Sequence, residues 1–210
     1  MDKRYAIFDM DGTLIDSMGF WKDLAAEYLE SQGIHQIPAE LLERIKPMTM
    51  SESAELFKRE FGLNGDVEAQ MNAMMDEHYR ADIPLKPGVA EYLQSLHRRG
   101  VRMCVASATA ERLMETCLTR LGVRGYFEFL LSCETVGAGK RSPLVYQEAA
   151  KRLGALPGEI AVYEDALYAV QTAKEAGFHV VGVYDDSAAG SWQTIAQTAD
   201  EIILNWEEAV

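Results

Sequence analysis

After the stiff segment Ile83-Pro84-Leu85-Lys86-Pro87-Gly88, the chain alternates short apolar runs with amphipathic stretches to beyond residue 180. Proline and glycine there stop any helix arriving from upstream. The runs Val101 to Ala106, Phe127 to Ser132, Ile160 to Tyr163 and His179 to Val183 are too short for helices and read as buried strands. Between them, residues 89–99, 110–121, 143–153 and 167–176 carry helical periodicity. Such alternation predicts a parallel sheet with helices on both faces, whose ligands bind beyond the carboxyl ends of the strands.

A further strand, Tyr5 to Phe8, stands at the start. From Phe20 to Arg80 the pattern is helical, with Trp21, Leu24, Ala25, Tyr28 and Leu29 on one stripe, broken by Gly33, Pro38, Pro47 and Gly62. The expectation is an α/β protein: a Rossmann-like core domain at 1–16 and 87–210, with an all-helical domain inserted at 17–86. Hinges near Ser17 and Ile83–Pro87 would let the insertion open and close. The 210 residues suffice for one domain with such an insertion.

Acidic residues outnumber basic ones by 33 to 20, so the chain repels phosphate backbones and anionic membranes. Nucleic acid and membrane partners are not expected, and a phosphorylated ligand would need a local cation. Cys104, Cys117 and Cys133 are odd in number and lack CxxC or Cys/His spacing, which fits a reducing cytoplasm without disulfides or structural zinc. The N-terminal run is too short for a signal peptide or membrane span.

The chemistry-bearing residues cluster at the expected strand ends. Asp9-Met10-Asp11-Gly12-Thr13 follows the first strand. Period-two spacing points Asp9 and Asp11 to one side, as a nucleophile and a proton carrier require, although the same letters also occur in solvated turns. An EF-hand loop is excluded, because its glycine and glutamate positions hold Leu14 and Phe20. Ser107-Ala108-Thr109 closes the second strand, where a hydroxyl and free amides can hold phosphate or cap a helix. Lys140 is not part of a Walker loop, since Glu134 and Arg141 occupy the positions that would need glycine and Ser/Thr. It can supply the missing positive charge or be an ordinary loop lysine. Glu164-Asp165 ends a further strand; with Asp9, Asp165 offers the carboxylates that Mg2+ takes, while the pair could also merely cap the next helix.

These four stations, and the run Phe8-Asp9-Met10-Asp11-Gly12-Thr13-Leu14 with Asp16-Ser17, resemble the haloacid dehalogenase-like hydrolase superfamily over essentially the whole chain. The resemblance is to the group with a helical cap after the first motif, which includes beta-phosphoglucomutase and sugar-phosphate phosphatases. It implies Asp9 as nucleophile and magnesium ligand, and Asp11 as general acid/base ligating through its backbone carbonyl. Ser107 and the Ala108 amide would bind the phosphoryl group, with Thr13 and Trp21 also at the substrate. Lys140 would offset charge, and Asp165, with Glu164 beside or behind it, would complete the Mg2+ site.

Asp11 favours phosphate esters over carbon–halogen or carbon–phosphorus bonds. Beta-phosphoglucomutases carry a histidine where Trp21 stands, an arginine near Met50 and an aliphatic residue at Thr13; these departures point to hydrolysis. The lysine motif, usually Lys-Pro-x-Pro, reads Lys140-Arg141-Ser142-Pro143, and the last motif continues into Ala166 and Ala169 instead of serine and glycine. The expected activity is a magnesium-dependent phosphatase for a small phosphorylated metabolite, working as a monomer or small homo-oligomer. A phosphosugar mutase and a non-catalytic binding protein are the alternatives. Met71, Met74 and Met75 read as soft packing, and no role is given to the histidines, though His78 and Arg80 could line a pocket.

Overall fold

The computed structural model describes residues 3–45, 48 and 50–209, and for Ala39 and Glu43 the backbone alone. Pro47, expected as a helix breaker, lies outside the described residues.

Six strands form one parallel sheet: β1 (Tyr5–Phe8), β2 (Arg102–Ser107), β3 (Phe127–Ser132), β4 (Ile160–Glu164), β5 (His179–Val183) and β6 (Glu201–Ile203). Their order is β3-β2-β1-β4-β5-β6, so the chain leaves β1 in one direction for β2 and returns on its other side as β4. That reversal opens a crevice at the carboxyl ends of β1 and β4. β1 can sit in the middle because Ala6, Ile7 and Phe8 are apolar and fully buried, and helices cover both faces.

Successive β1 side chains enter opposite layers. Ile7 packs with Cys104, Ala106, Leu131, Val162 and Val180 in one layer. Phe8 enters the other, where its ring stacks on Tyr163 at 4.2 Å and Trp206 lies behind. Removing side chains of this size from water contributes about 1.5–3 kcal/mol each.

The chain divides into two compact units, Met1–Ser17 with Ile83–Val210, and Met18–Asp82. The second consists of α1 (Met18–Ser31), α2 (Ala39–Ile45), α3 (Met50–Phe61) and α4 (Val67–Ala81). α4 buries Val67, Met71, Met75 and Tyr79, one residue per turn, so two of the three methionines are packing residues, as expected. Within this unit Trp21 Nε1 donates to Tyr79 Oη at 3.2 Å, and His78 lies between Glu27 and Asp82.

The helical unit ends at Asp82 rather than at residue 86. Residues 83–86 run along the end of the first loop: Ile15 bridges Leu85, Asp16 N–H donates to Pro84 O at 3.0 Å, and Lys86 N–H donates to Leu14 O at 3.0 Å. Backbone pairing of this kind ties them to the sheet unit.

In the sheet unit follow α5 (Val89–Arg98), α6 (Glu111–Arg120), α7 (Cys133–Val136), α8 (Leu144–Leu153), α9 (Leu167–Glu175) and α10 (Trp192–Thr198). Gly88 precedes α5 at φ +86°, where an added Cβ would lie 2.5 Å from Glu207 N. Only glycine fits both the backbone angle and the close approach of the C-terminal segment. Cys104, Cys117 and Cys133 are free and buried. Among the described residues, no helix is long and apolar enough to cross a membrane.

Candidate active site

Asp9 is the first residue beyond β1, and its N–H still donates to Tyr163 O, which fixes the backbone where the ladder ends. The chain then folds tightly over Met10–Ile15, with Leu14 N–H and Ile15 N–H both donating to Met10 O, and Gly12 taking φ +78°. This turn keeps Asp9 against the ends of the central strands. Across the crevice, β4 ends in Glu164, with Asp165 next. Carboxylate oxygens of Asp9, Glu164 and Asp165 lie within 4.8 Å of one another, and all three residues are buried.

Lys140, between α7 and α8, reaches this cluster from the side and is itself only 6 % exposed. Its ammonium pairs with Asp9 and, at 2.7 Å, with Glu164. Tyr146 of α8 donates to the same Glu164 oxygen at 2.7 Å, while Glu164 Oε2 has no hydrogen-bond partner among the described residues. Thr13 Oγ1 donates to Asp165 Oδ1 at 2.9 Å.

Three carboxylates and one ammonium, which pairs with two of them, thus sit in a volume without water's dielectric. Burial pushes Asp9 up, offset by Lys140 and reinforced by Asp11. Glu164 is pushed up to about 7 by burial, against the pull of Lys140. Burial and the charges of Asp9 and Glu164 raise Asp165 well above the usual range. Lys140 moves upward because the two acids outweigh its desolvation. An all-oxygen set with surplus negative charge and an unsatisfied carboxylate oxygen fits a hard divalent cation.

Asp11 does not join this cluster by its side chain. Ser17 Oγ donates to it at 2.8 Å and Thr109 Oγ1 at 2.6 Å, with Ser107 Oγ farther off at 3.5 Å. Ser107 Oγ also accepts from Thr109 N–H at 3.1 Å. The sequence places Thr109 in a segment that can hold phosphate or cap a helix, and nothing local pairs it with a residue 98 positions away.

Ala108 and Lys140 line an open pocket of about 580 Å³ with Gly139, Arg141, Ser142 and Tyr168. Thr13, expected at the substrate, is fully buried with its hydroxyl on Asp165. Trp21, expected there too, belongs to the helical unit.

A parallel sheet whose central strand ends in an acid, with a lysine and two further acids around it, is the architecture of the haloacid dehalogenase-like hydrolases. The pattern of that family matches residues 6–183, and the chain belongs to it. Phosphorylated carbohydrates phosphatase of Thermotoga maritima is 28% identical over 95% of each chain. Phosphoglycolate phosphatase of Thiobacillus denitrificans is 31% identical over 83% of this chain and 80% of its own. A crystal structure from Thermotoga maritima assigned as a beta-phosphoglucomutase superposes with a TM-score of 0.84 at 25% identity, covering 98% of this chain and 95% of that one. Within the family, the chain is a hydrolase of the phosphatase type.

Proposed function

We propose that the protein is a magnesium-dependent phosphatase that hydrolyses a small phosphorylated metabolite, a sugar phosphate among the candidates, through an aspartyl phosphate on Asp9. The observation that carries this reading is the buried cluster of Asp9, Glu164 and Asp165 with Lys140 bridging two of its members. Asp9, Asp165 and Glu164, with the Asp11 carbonyl, would hold Mg2+, which supplies charge neutralisation for the phosphoryl oxygens.

Lys140 and the end of β1 orient Asp9 for attack on phosphorus. In the first step an Asp9 oxygen bonds to phosphorus, the ester P–O bond breaks, and the Asp11 carboxyl gives its proton to the leaving oxygen. In the second, Asp11 carboxylate takes a proton from water as the water oxygen attacks phosphorus, releasing Asp9 and inorganic phosphate. Ser17 and Thr109 steady Asp11 between these roles. Ser107 and the Ala108 amide are the groups for the phosphoryl oxygens.

The helical unit, Met18–Asp82, is read as a cap, and Trp21 on its first helix as a residue that selects the substrate. Trp21, where mutases of the family carry histidine, and Met50, near which they carry an arginine, support water as the acceptor. The likeness to a structure assigned as a beta-phosphoglucomutase favours a second reading, phosphosugar mutase; isomerised hexose phosphate with little free phosphate would select it. The three free thiols suit a cytoplasmic setting.

Asp9→Asn is the direct test. Mg2+-dependent hydrolysis of p-nitrophenyl phosphate should fall by about 10³-fold or more, because the covalent route is lost. Activity near wild type would refute the assignment.

A further inference from the structure

Lys140 is committed to Asp9 and Glu164, yet the residue after it is a second cation on the wall of the same pocket. Arg141 makes no hydrogen bond or ion pair with any described residue. Its guanidinium carbon lies 4.9 Å from the ring centroid of Tyr168, in the first turn of α9, three residues after Asp165. The ring steadies the guanidinium, whose N–H donors have no acceptor among the described residues. Ser142, also on this wall, adds a hydroxyl.

Two considerations give this position meaning. The chain has 33 acidic and 20 basic residues, so a substrate with more negative charge than a phosphate monoester meets added repulsion unless a cation waits at the site. An arginine free of carboxylate partners, steadied by an aromatic ring, offers a fork matched to a carboxylate or a second phosphate. The same wall holds Ala108, whose amide is expected at the phosphoryl group, and Lys140, which pairs with Asp9.

We infer that Arg141, held by Tyr168, is a specificity residue that binds a second acidic group of the substrate, so that the preferred class is a phosphate ester that also carries a carboxylate or second phosphate. This rests on the phosphatase reading above and narrows it.

Matched esters test it: 3-phosphoglycerate against glycerol 3-phosphate, 6-phosphogluconate against glucitol 6-phosphate, and fructose 1,6-bisphosphate against fructose 6-phosphate, each assayed with wild type, R141A and R141K. In at least one pair wild type should favour the more acidic member in kcat/KM by about tenfold, the worth of one charge-assisted contact. R141A should erase that preference, mainly through KM, and R141K should keep part of it. The pair that responds tells a carboxylate from a second phosphate. No preference in any pair, or equal losses on both members in R141A, overturns the inference even if p-nitrophenyl phosphate is cleaved. If no ester at all is hydrolysed, the phosphatase reading fails instead. Calorimetric binding of the same pairs then decides for Arg141: tighter binding of the acidic member that R141A abolishes supports it, and equal binding overturns it.

Discussion

Asp165 accepts a hydrogen bond from the hydroxyl of Thr13 in the first loop. Thr13 stands in the first loop, where the family resemblance implies a substrate contact, but the fold turns its hydroxyl to Asp165 across 152 positions of sequence. If Asp165 holds Mg2+ as proposed, Thr13→Val should raise the Mg2+ concentration for half-maximal activity about tenfold, and Thr13→Ser should restore it. An unchanged magnesium requirement with a raised KM for substrate would return Thr13 to the substrate side. That Asp9, Lys140 and Asp165 lie near one another was legible, because strand ends in an α/β sheet converge on one crevice. Thr109 and Tyr146 were not, since their partners are fixed only by the tertiary fold.

The elements that the sequence shows least clearly lie after β5. β6 has three residues, two of them exposed, so it carries no alternation to read, and α10 has only seven. Yet this region closes the sheet unit. Trp206 is buried and donates to Thr13 O at 3.1 Å, and Gly88 admits the backbone of residues 206 and 207. Gly88→Ala combines a left-handed backbone with a clash and should cost about 2–4 kcal/mol, lowering the melting temperature by roughly 5–15 °C. A melting temperature unchanged within a degree would contradict the packing described.

A second long-range tie joins Lys86 to Asp185 at 2.7 Å. Burial alone would raise Asp185, but hydrogen bonds from Lys86 and Ser187 hold it below its usual value. A depressed carboxyl stabilises the fold above its unfolded pKa, and that share is lost as pH falls through the folded one. Lys86→Met should thus cost about 2 kcal/mol near neutrality, and the gap to wild type should narrow as pH drops below about 4. A gap constant from pH 7 to pH 3 would show that the pair does not carry this stability.

For the whole molecule, the strand-helix alternation conveys the architecture, since buried parallel strands are continuous apolar runs that need no long-range information. The boundaries of the helical unit are less visible: residues 83–86 look like a linker but are hydrogen-bonded into the sheet unit. All the chemistry proposed for the molecule passes through one covalent species on Asp9. Acid quenching during turnover of a ³²P-labelled phosphate ester, followed by peptide mapping, tests that directly. The account predicts an acid-stable, hydroxylamine-labile phosphoryl group on the peptide containing Asp9, absent without Mg2+ and absent in Asp9→Asn. Rapid turnover with no covalent phosphoryl group, or with the label on another residue, would contradict it.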